Sequence, residues 1–338
     1  MEIISNYSLK QLNTFGIESF AKLFVRVNSE QQIIDLIKTN EFKTNQHLII
    51  GGGSNLLFTK NVDGIVIKNE LVGIHVVNET EEFVYVKSSA GVVWHEFVMW
   101  CIDKNYAGVE NLALIPGCVG ASPMQNIGAY GVEIKDTFFE LEAIELATGN
   151  KRVFTKDECK FGYRESVFKR DLKNKFIITS VTFKLSKQPV FHMEYGAIKQ
   201  ELDAMKVSSI TISAIAQAII NIRSSKLPNP KEIGNAGSFF KNPEVNAATY
   251  ERLKNEFPAI VAYPLENGNF KLAAGWLIEQ SGLKGFTEGE AGVHKLQALV
   301  LVNYGSATGS QVYNLSTHVL DTVYKKFGVE LEREVNIV

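Results

Sequence analysis

Three polar side chains sit where rigid, glycine- or aromatic-rich surroundings give them reason to do chemistry. Arg164, within Phe161-Gly162-Tyr163-Arg164-Glu165-Ser166, can clamp a carboxylate through the planar fork of its guanidinium. An ion pair with a neighbouring acid is the plainer reading of that arginine. Ser238 lies in Gly234-Asn235-Ala236-Gly237-Ser238-Phe239-Phe240-Lys241-Asn242-Pro243, a small hydroxyl on a tight turn backed by two phenylalanines. Most serines in such turns only hydrogen-bond backbone, and no G-x-S-x-G elbow marks this one as a hydrolase nucleophile. Glu334 closes Leu331-Glu332-Arg333-Glu334. An inward carboxylate there needs a task; the alternative is an edge strand with Glu332 and Glu334 both wet. Lys226 and Lys241 flank the Ser238 loop and can hold phosphates or simply be solvated.

Two glycine-rich runs offer backbone instead of side chains. Ile115-Pro116-Gly117-Cys118-Val119-Gly120-Ala121-Ser122-Pro123-Met124-Gln125-Asn126-Ile127-Gly128-Ala129-Tyr130-Gly131 carries no charge over its whole length. Its glycines and prolines suit a rigid wrap around something flat and polar; a buried crossover without a ligand is the alternative. Gly51-Gly52-Gly53-Ser54-Asn55 follows the apolar His47-Leu48-Ile49-Ile50. A row of exposed amides there can nest a phosphate, or the glycines can form a hairpin turn. The dinucleotide fingerprint G-x-G-x-x-G fails, because Leu56 stands where its third glycine belongs, and no G-x-x-x-x-G-K-[ST] occurs. Together the runs favour a phosphate-bearing cofactor without a Rossmann fold.

Composition narrows the class. The 338 residues are 45% hydrophobic and 21% charged with formal net charge −2, which suits a globular protein of two or three domains. Near-neutral balance gives no reason to expect nucleic acid or an anionic membrane as partner. No signal peptide or membrane-length apolar run is evident. Cys101, Cys118 and Cys159 are far apart and form no C-x-x-C, so no zinc site and a cytoplasmic, reducing setting are expected.

The elements that must position these residues read as mixed α and β. Strand Lys22–Val27, a helix over Glu30–Lys38 capped by Ser29, and strand His47–Ile50 make a first β-α-β lobe. Short strands follow at Gly64–Ile67, Gly73–Val77 and Phe83–Lys87, interrupted by a helix over Val92–Asp103 in which His95 reads as a surface or satisfied histidine rather than a ligand. Strands Phe138–Ala147, Lys151–Phe154 and Phe176–Leu185 come next, with a short helix after Thr155. Ser186-Lys187-Gln188-Pro189 is the candidate domain boundary. Beyond it helices are expected over Thr211–Arg223, Ala247–Phe257 and Lys271–Ser281, the last with Gly282 as its C′ residue. A buried strand is expected over Gln297–Val302, then a long helix from the Thr308-Gln311 capping box to Gly328. Val329–Val335 alternates like a strand, with one of Glu332 and Glu334 expected inward and the other outward.

Taken together and in order, Asn13-Thr14-Phe15-Gly16, Gly51–Leu57, Ile115–Gly131, Gly162-Tyr163-Arg164, Gly234–Pro243, Lys271–Gly275 and Leu331–Glu334 resemble the UDP-N-acetylenolpyruvoylglucosamine reductase family. The likeness spans nearly the whole chain. Tyr263-Pro264 before Lys271-Leu272-Ala273-Ala274-Gly275-Trp276 resembles the longer, type I form. The resemblance implies an α+β fold: a two-lobed vanillyl-alcohol-oxidase-like FAD-binding region (residues 1–68 and 69–187) plus a C-terminal substrate-binding domain (200–327). Residues 328–338 would return as a strand to the active site.

It also implies an NADPH-dependent flavoenzyme of peptidoglycan precursor synthesis, with non-covalent FAD and UDP-N-acetylglucosamine enolpyruvate as substrate. FAD would be held by Gly51, Gly52, Gly53, Ser54 and Asn55, and by Ile115, Pro116, Gly117, Ser122, Gln125, Asn126, Gly128 and Gly131. Ser238 would donate the proton, while Arg164 and Glu334 serve the enolpyruvyl carboxylate. Tyr195, Lys226, Asn242, Tyr263 and Gln297 would bind the UDP-sugar. A monomer is expected. Two positions depart from the family pattern: Ala121 replaces a frequent serine, and Asn336 stands where an arginine is expected. The rival readings are another flavoenzyme of this fold, such as a sugar or lactone oxidase, and a non-catalytic UDP-sugar or flavin-binding regulator.

Overall fold

A computed structural model describes residues 1–338. They form two compact units: residues 1–7, 21–53 and 62–225, and residues 8–20, 54–61 and 226–338.

The first unit holds two larger sheets and a two-stranded ribbon, Gly128–Ala129 with Val132–Glu133. Strands Ile3–Ser8, Phe20–Val27, Val62–Asn69 and Gln46–Ile50 lie side by side in that order. Phe20–Val27 and Gln46–Ile50 both run parallel to Val62–Asn69, so a crossover is required. Helix Glu30–Lys38 supplies it. Ser29 accepts the Gln32 N–H at its N-terminus, and Ile33 and Leu36 are its buried residues. They pack with Val25, Val27, Ile65 and Ile67, each such side chain contributing roughly 1.5–3 kcal/mol when fully buried. The other sheet is antiparallel, in the order Lys151–Thr155, Phe138–Glu145, Phe176–Ser186, Phe83–Ser89, Ile74–Glu79. Helix Trp94–Asp103 packs Trp94 and Phe97 against Phe183, with ring centroids 5.7 and 4.8 Å away. The Trp94 indole N–H donates to the Leu112 carbonyl (2.9 Å), pinning the segment that leads into Ile115.

The expected boundary at Ser186–Pro189 falls inside this unit. Helices Ile198–Ala204, which sequence periodicity did not reveal, and Ile212–Lys226 follow it. Ile212, Ile215, Ala216, Ile219 and Ile222 join the same core as Trp94 and Phe183. An apolar stripe that wide must be covered, and this sheet-and-helix core covers it. The unit therefore continues to Ser225 rather than yielding a domain that starts near residue 200.

In the second unit Gly234–Ser238, Val300–Asn303, Ala291–Val293 and Thr287–Glu288 form an antiparallel sheet in that order. Helix Gly309–Phe327 begins at the Thr308-Gln311 capping box and ends at Gly328, whose φ is 65°. The expected helix from Lys271 starts later, at Ala274. Phe270–Leu272 is a strand instead, because Glu244–Val245 and Ala262–Pro264 both pair with it. Residues 329–335 are not a regular strand. Arg333 makes one bridge to Phe240, and the true strand is Asn336–Ile337, parallel to Leu56–Leu57. Glu332 is exposed and Glu334 half-buried as expected, although residues two apart in a regular strand share a face. The irregular backbone separates them.

Candidate functional site

Within the first unit the two glycine runs come together. A Cβ on Gly52 would stand 3.0 Å from the Gly117 Cα, and one on Gly51 would stand 3.3 Å from the Cys118 Cβ. Only glycine lets those backbones approach so closely. Gly52, Gly117, Pro116 and Cys118 line one cavity of about 630 Å³ together with Lys68 and Asn69. Lys68 Nζ donates to the Gly51 carbonyl, and the wall carries this cation beside one acid, Glu70. Gly53 closes this part; Ser54 and Asn55 belong to the second unit.

The long uncharged run is held by its own polar side chains. Ser122 is 1% exposed and donates to the Val119 carbonyl (2.7 Å). Asn126 is fully buried, donating to Glu133 and the Gly162 carbonyl (both 3.0 Å) and accepting the Lys135 N–H (3.1 Å). These amide bonds shape the loop. Gln125, Ile115 and Gly128 are half-buried and Pro116 is exposed. Arg164 Nη2 donates to the Gly128 carbonyl (2.6 Å), and the guanidinium lies 5.3 Å from the Tyr163 ring. The adjacent Glu165 itself pairs with Arg170 (3.0 Å) and Lys169 (3.7 Å). A fork already fixed by one carbonyl is pre-aimed, which is what an oxyanion clamp requires.

Three polar residues of this unit escaped sequence reasoning. Arg223 ends an apolar helical pattern; burial pulls its guanidinium below the usual range, while attraction to Tyr130, whose hydroxyl oxygen accepts a hydrogen bond from it, opposes that. Its Nε is buried without a partner. A lone cation on an otherwise apolar stripe was the available signal. Glu110 and Asn111 lie between Val109 and Leu112 and are 2% and 1% exposed. Burial pushes the Glu110 carboxyl up against the pull of the Gly108 N–H, which it accepts at 2.6 Å. His95 is satisfied as expected: burial lowers its pKa, and neutral Nδ1 accepts the Leu114 N–H (3.1 Å). Tyr195 is 47% exposed and stands edge-on to Tyr130, centroids 6.5 Å apart.

The second unit gathers Ser238, Glu334 and Asn55. Ser238 is exposed at the end of Gly234–Ser238, just where the register with Val300–Asn303 slips. Phe239 and Phe240, 0% and 1% exposed, anchor the residues after it. Asn235 braces the turn before it, accepting the Gly237 N–H (3.0 Å) and donating to Pro228 and Ile233 carbonyls (3.1 and 2.8 Å). The motif Asn13–Gly16 is the buttress: the Asn235 N–H bonds the Thr14 carbonyl (3.0 Å), and Phe15 meets Phe239 at 6.2 Å. The Glu334 N–H bonds the Phe239 carbonyl (2.8 Å), so the half-buried Glu334 is tied to the residue following Ser238. Asn55 Nδ2 reaches the Glu334 carbonyl (3.4 Å), and Asn336 donates through backbone and side chain to the Asn55 carbonyl (3.1 and 3.0 Å). Asn336 thus locks the glycine-run tail to the C-terminus, a neutral job that an amide does well.

The remaining candidates also belong to the second unit. Asn242 Oδ1 accepts the Ala274 N–H (3.0 Å) and so caps helix Ala274–Gln280. Gln297 Oε1 accepts from Leu299 (3.4 Å). Tyr263 is 42% exposed on a strand opposite Lys271, and Lys226 is exposed at a helix end. Lys241 pairs with Glu332 at 2.6 Å. All three cysteines are buried and free; burial pushes the Cys159 thiol up to about 12 and the other two up as well. None is a nucleophile at neutral pH.

Comparison with known proteins identifies the family. A family model described as "FAD binding domain" matches residues 21–154, and one described as "UDP-N-acetylenolpyruvoylglucosamine reductase, C-terminal domain" matches residues 229–338. The UDP-N-acetylenolpyruvoylglucosamine reductases of Flavobacterium johnsoniae and Amoebophilus asiaticus are 50% and 48% identical to this chain, with all of each chain covered. The crystal structure of the UDP-N-acetylenolpyruvylglucosamine reductase from Thermus caldophilus is 22% identical, with a TM-score of 0.67 over 99% of this chain and 98% of that one. It has the same fold. The chain carries an FAD-binding region and belongs to the UDP-N-acetylenolpyruvoylglucosamine reductase family.

Proposed function

We propose that this chain reduces UDP-N-acetylglucosamine enolpyruvate to UDP-N-acetylmuramate, a step of peptidoglycan precursor synthesis, with NADPH as the electron source. It would act in the cytoplasm, as a monomer. The observation that carries the reading is Ser238, an exposed hydroxyl on a braced turn whose next residue, Phe239, is bonded to Glu334. A proton donor and a second acid are thereby held by one short piece of backbone.

FAD fits the first unit on two counts. The two glycine runs share one cavity with Lys68 in its wall, and the buried Nε of Arg223 has a proton to donate and no protein acceptor. We assign Gly51–Gly53 with Ser54 and Asn55 to the pyrophosphate. Ile115–Gly117, Gln125, Gly128 and Gly131 would line the rest of the cofactor, with Ser122 and Asn126 setting the loop's shape. Bound FAD, once reduced by NADPH, would supply the hydride, which no side chain can carry.

The chain's own residues do the rest. Hydride addition to the terminal carbon of an enol ether drives negative charge into the attached carboxylate. Arg164, its fork already steadied by the Gly128 carbonyl, would hold that charge. Preorganised donors aimed at developing charge lower such barriers most. Ser238 Oγ–H would pass its proton to the adjacent carbon. Glu334 would act as a neutral donor, since an ionised carboxylate beside the substrate's own would repel it. Tyr195, Lys226, Asn242, Tyr263 and Gln297 would bind the UDP-sugar.

Purified protein should be yellow and should turn over NADPH continuously only when the enolpyruvyl UDP-sugar is added, producing one UDP-N-acetylmuramate per NADPH. Colourless protein would sink the cofactor assignment. Rapid NADPH oxidation by oxygen without the UDP-sugar would favour an oxidase, and flavin binding without turnover would favour a regulator.

A further inference from the structure

We infer that Asn111 is a positioning residue: it tethers the segment that carries Tyr195 to the loop that carries Tyr130, and so presents the Tyr195 ring to the UDP-sugar. The inference deepens the function proposed above and rests on it.

Between strand Phe176–Ser186 and helix Ile198–Ala204 the chain belongs to no regular element. Its carbonyls therefore lack ladder partners, and its place depends on bonds from outside the segment. Asn111 answers that need. Its side-chain amide has two N–H groups, and Nδ2 donates to the His192 carbonyl (2.9 Å) and to the Tyr130 carbonyl (3.0 Å). One planar group thus sets the distance between the two tyrosine-bearing segments. The consequence is visible in the rings, which meet edge-on at 89° with centroids 6.5 Å apart. A Cβ on Gly196 would stand 3.7 Å from Tyr130 Cδ1, so the turn just after Tyr195 also packs on that ring.

The choice of residue type argues for those two donors. Asn111 is 1% exposed, and its Oδ1 is buried with no hydrogen-bond partner. A buried acceptor left unpaired is unfavourable, and an apolar residue of similar size would avoid it. What only an amide offers here is a double donor. Tyr130 has a φ of 50°, a left-handed conformation that non-glycine residues resist. A bond to its carbonyl helps to hold it there.

The test has two parts. In the flavin-loaded protein without substrate, Asn111→Ala should speed amide hydrogen exchange over residues 190–196 while leaving flavin content unchanged. Unchanged exchange there would overturn the tether whatever the enzyme's substrate proves to be. Titrated with UDP-N-acetylglucosamine enolpyruvate, Asn111→Ala should bind on the order of 2- to 10-fold more weakly, the cost of ordering a freed aromatic arm at each binding event. Reduction of the flavin by NADPH should not change. In a Tyr195→Ala background the same substitution should have almost no further effect on binding. A full, additive loss in that background, or loss of flavin, would show that Asn111 is merely structural. Asn111→Asp, of the same shape but with no N–H to donate, should lose the tether at least as fully as alanine; an aspartate variant that bound like wild type would also count against the double tether. Absence of any UDP-sugar binding by the wild type would instead refute the proposed function, leaving the exchange result to judge the tether.

Discussion

Gly52 gives the sharpest test of where the cofactor lies. A Cβ at this position would meet Gly117 Cα at 3.0 Å, its carbonyl carbon at 3.4 Å and its nitrogen at 3.6 Å. Alanine needs the facing backbone to give by a few tenths of an ångström. Valine adds two γ-carbons to a contact that is already tight, and overpacking of this kind costs about 1–3 kcal/mol. If the strain is relieved by parting the two glycine runs, the cavity they line is deformed and flavin affinity should fall by a comparable amount, roughly 5- to 150-fold. Gly149→Ala is the control: its φ is 77° with nothing within 4 Å of a new Cβ. It should lose about 1–2 kcal/mol of stability through backbone strain alone and keep its flavin. Flavin per protein by absorbance, and free-flavin titration of the apoprotein, read the result. A Gly52→Val protein with unaltered flavin affinity would refute the assignment of the cofactor to this cavity.

Other substitutions address the chemistry and the fold. Ser238→Ala should leave NADPH reduction of the flavin intact and slow the substrate half-reaction by about 10²–10⁴-fold; stopped-flow that showed equal loss in both halves would point to misfolding. Glu334→Gln keeps a neutral donor of the same reach and should retain far more turnover than Glu334→Asp, and the reverse order would discard the neutral-donor role. For Glu142, burial raises the carboxyl, but Lys87 (2.6 Å), Lys151 (2.9 Å) and Ser180 (2.9 Å) outweigh it and bring the value to about 2. A depressed folded pKa gives stability that is present above the usual carboxylate range and lost as pH falls through about 4.5 towards 2. Urea midpoints of wild type and Glu142→Gln should therefore differ at pH 7 and converge at the acid end of that window.

What the sequence revealed was mostly local. Ser29 and Thr308 each bond an N–H three residues on, so their caps depend on nothing distant, and both helices begin where expected. The glycine runs were readable because glycine density answers a backbone demand that no other residue meets. Lys271 and Leu272 fit a helical pattern yet lie in strand Phe270–Leu272 because its partners at 244–245 and 262–264 decide its state, and no periodicity within the segment records them. The same holds for helix Ile212–Lys226. Its apolar face was plain, but a stripe does not name the core that will cover it.

The site residues divide along the same line. Arg164, Ser238 and Glu334 were singled out because each sits in a motif with unusual neighbours in the chain. Glu110, Asn111 and Arg223 were missed because their meaning lies in what faces them: a carbonyl 81 residues away for Asn111, and Tyr130 for Arg223. A buried polar residue flanked by apolar ones is the only trace such partners leave in one dimension. Asn13–Gly16 shows both sides of the limit. Its resemblance to the family was visible, yet nothing in those four residues says that Thr14 and Phe15 brace the turn before Ser238. A motif remote in sequence from the proposed proton donor thus has a mechanical role, and Asn13, which bonds the Leu9 and Ile17 carbonyls at 2.9 Å, is what keeps that brace in shape.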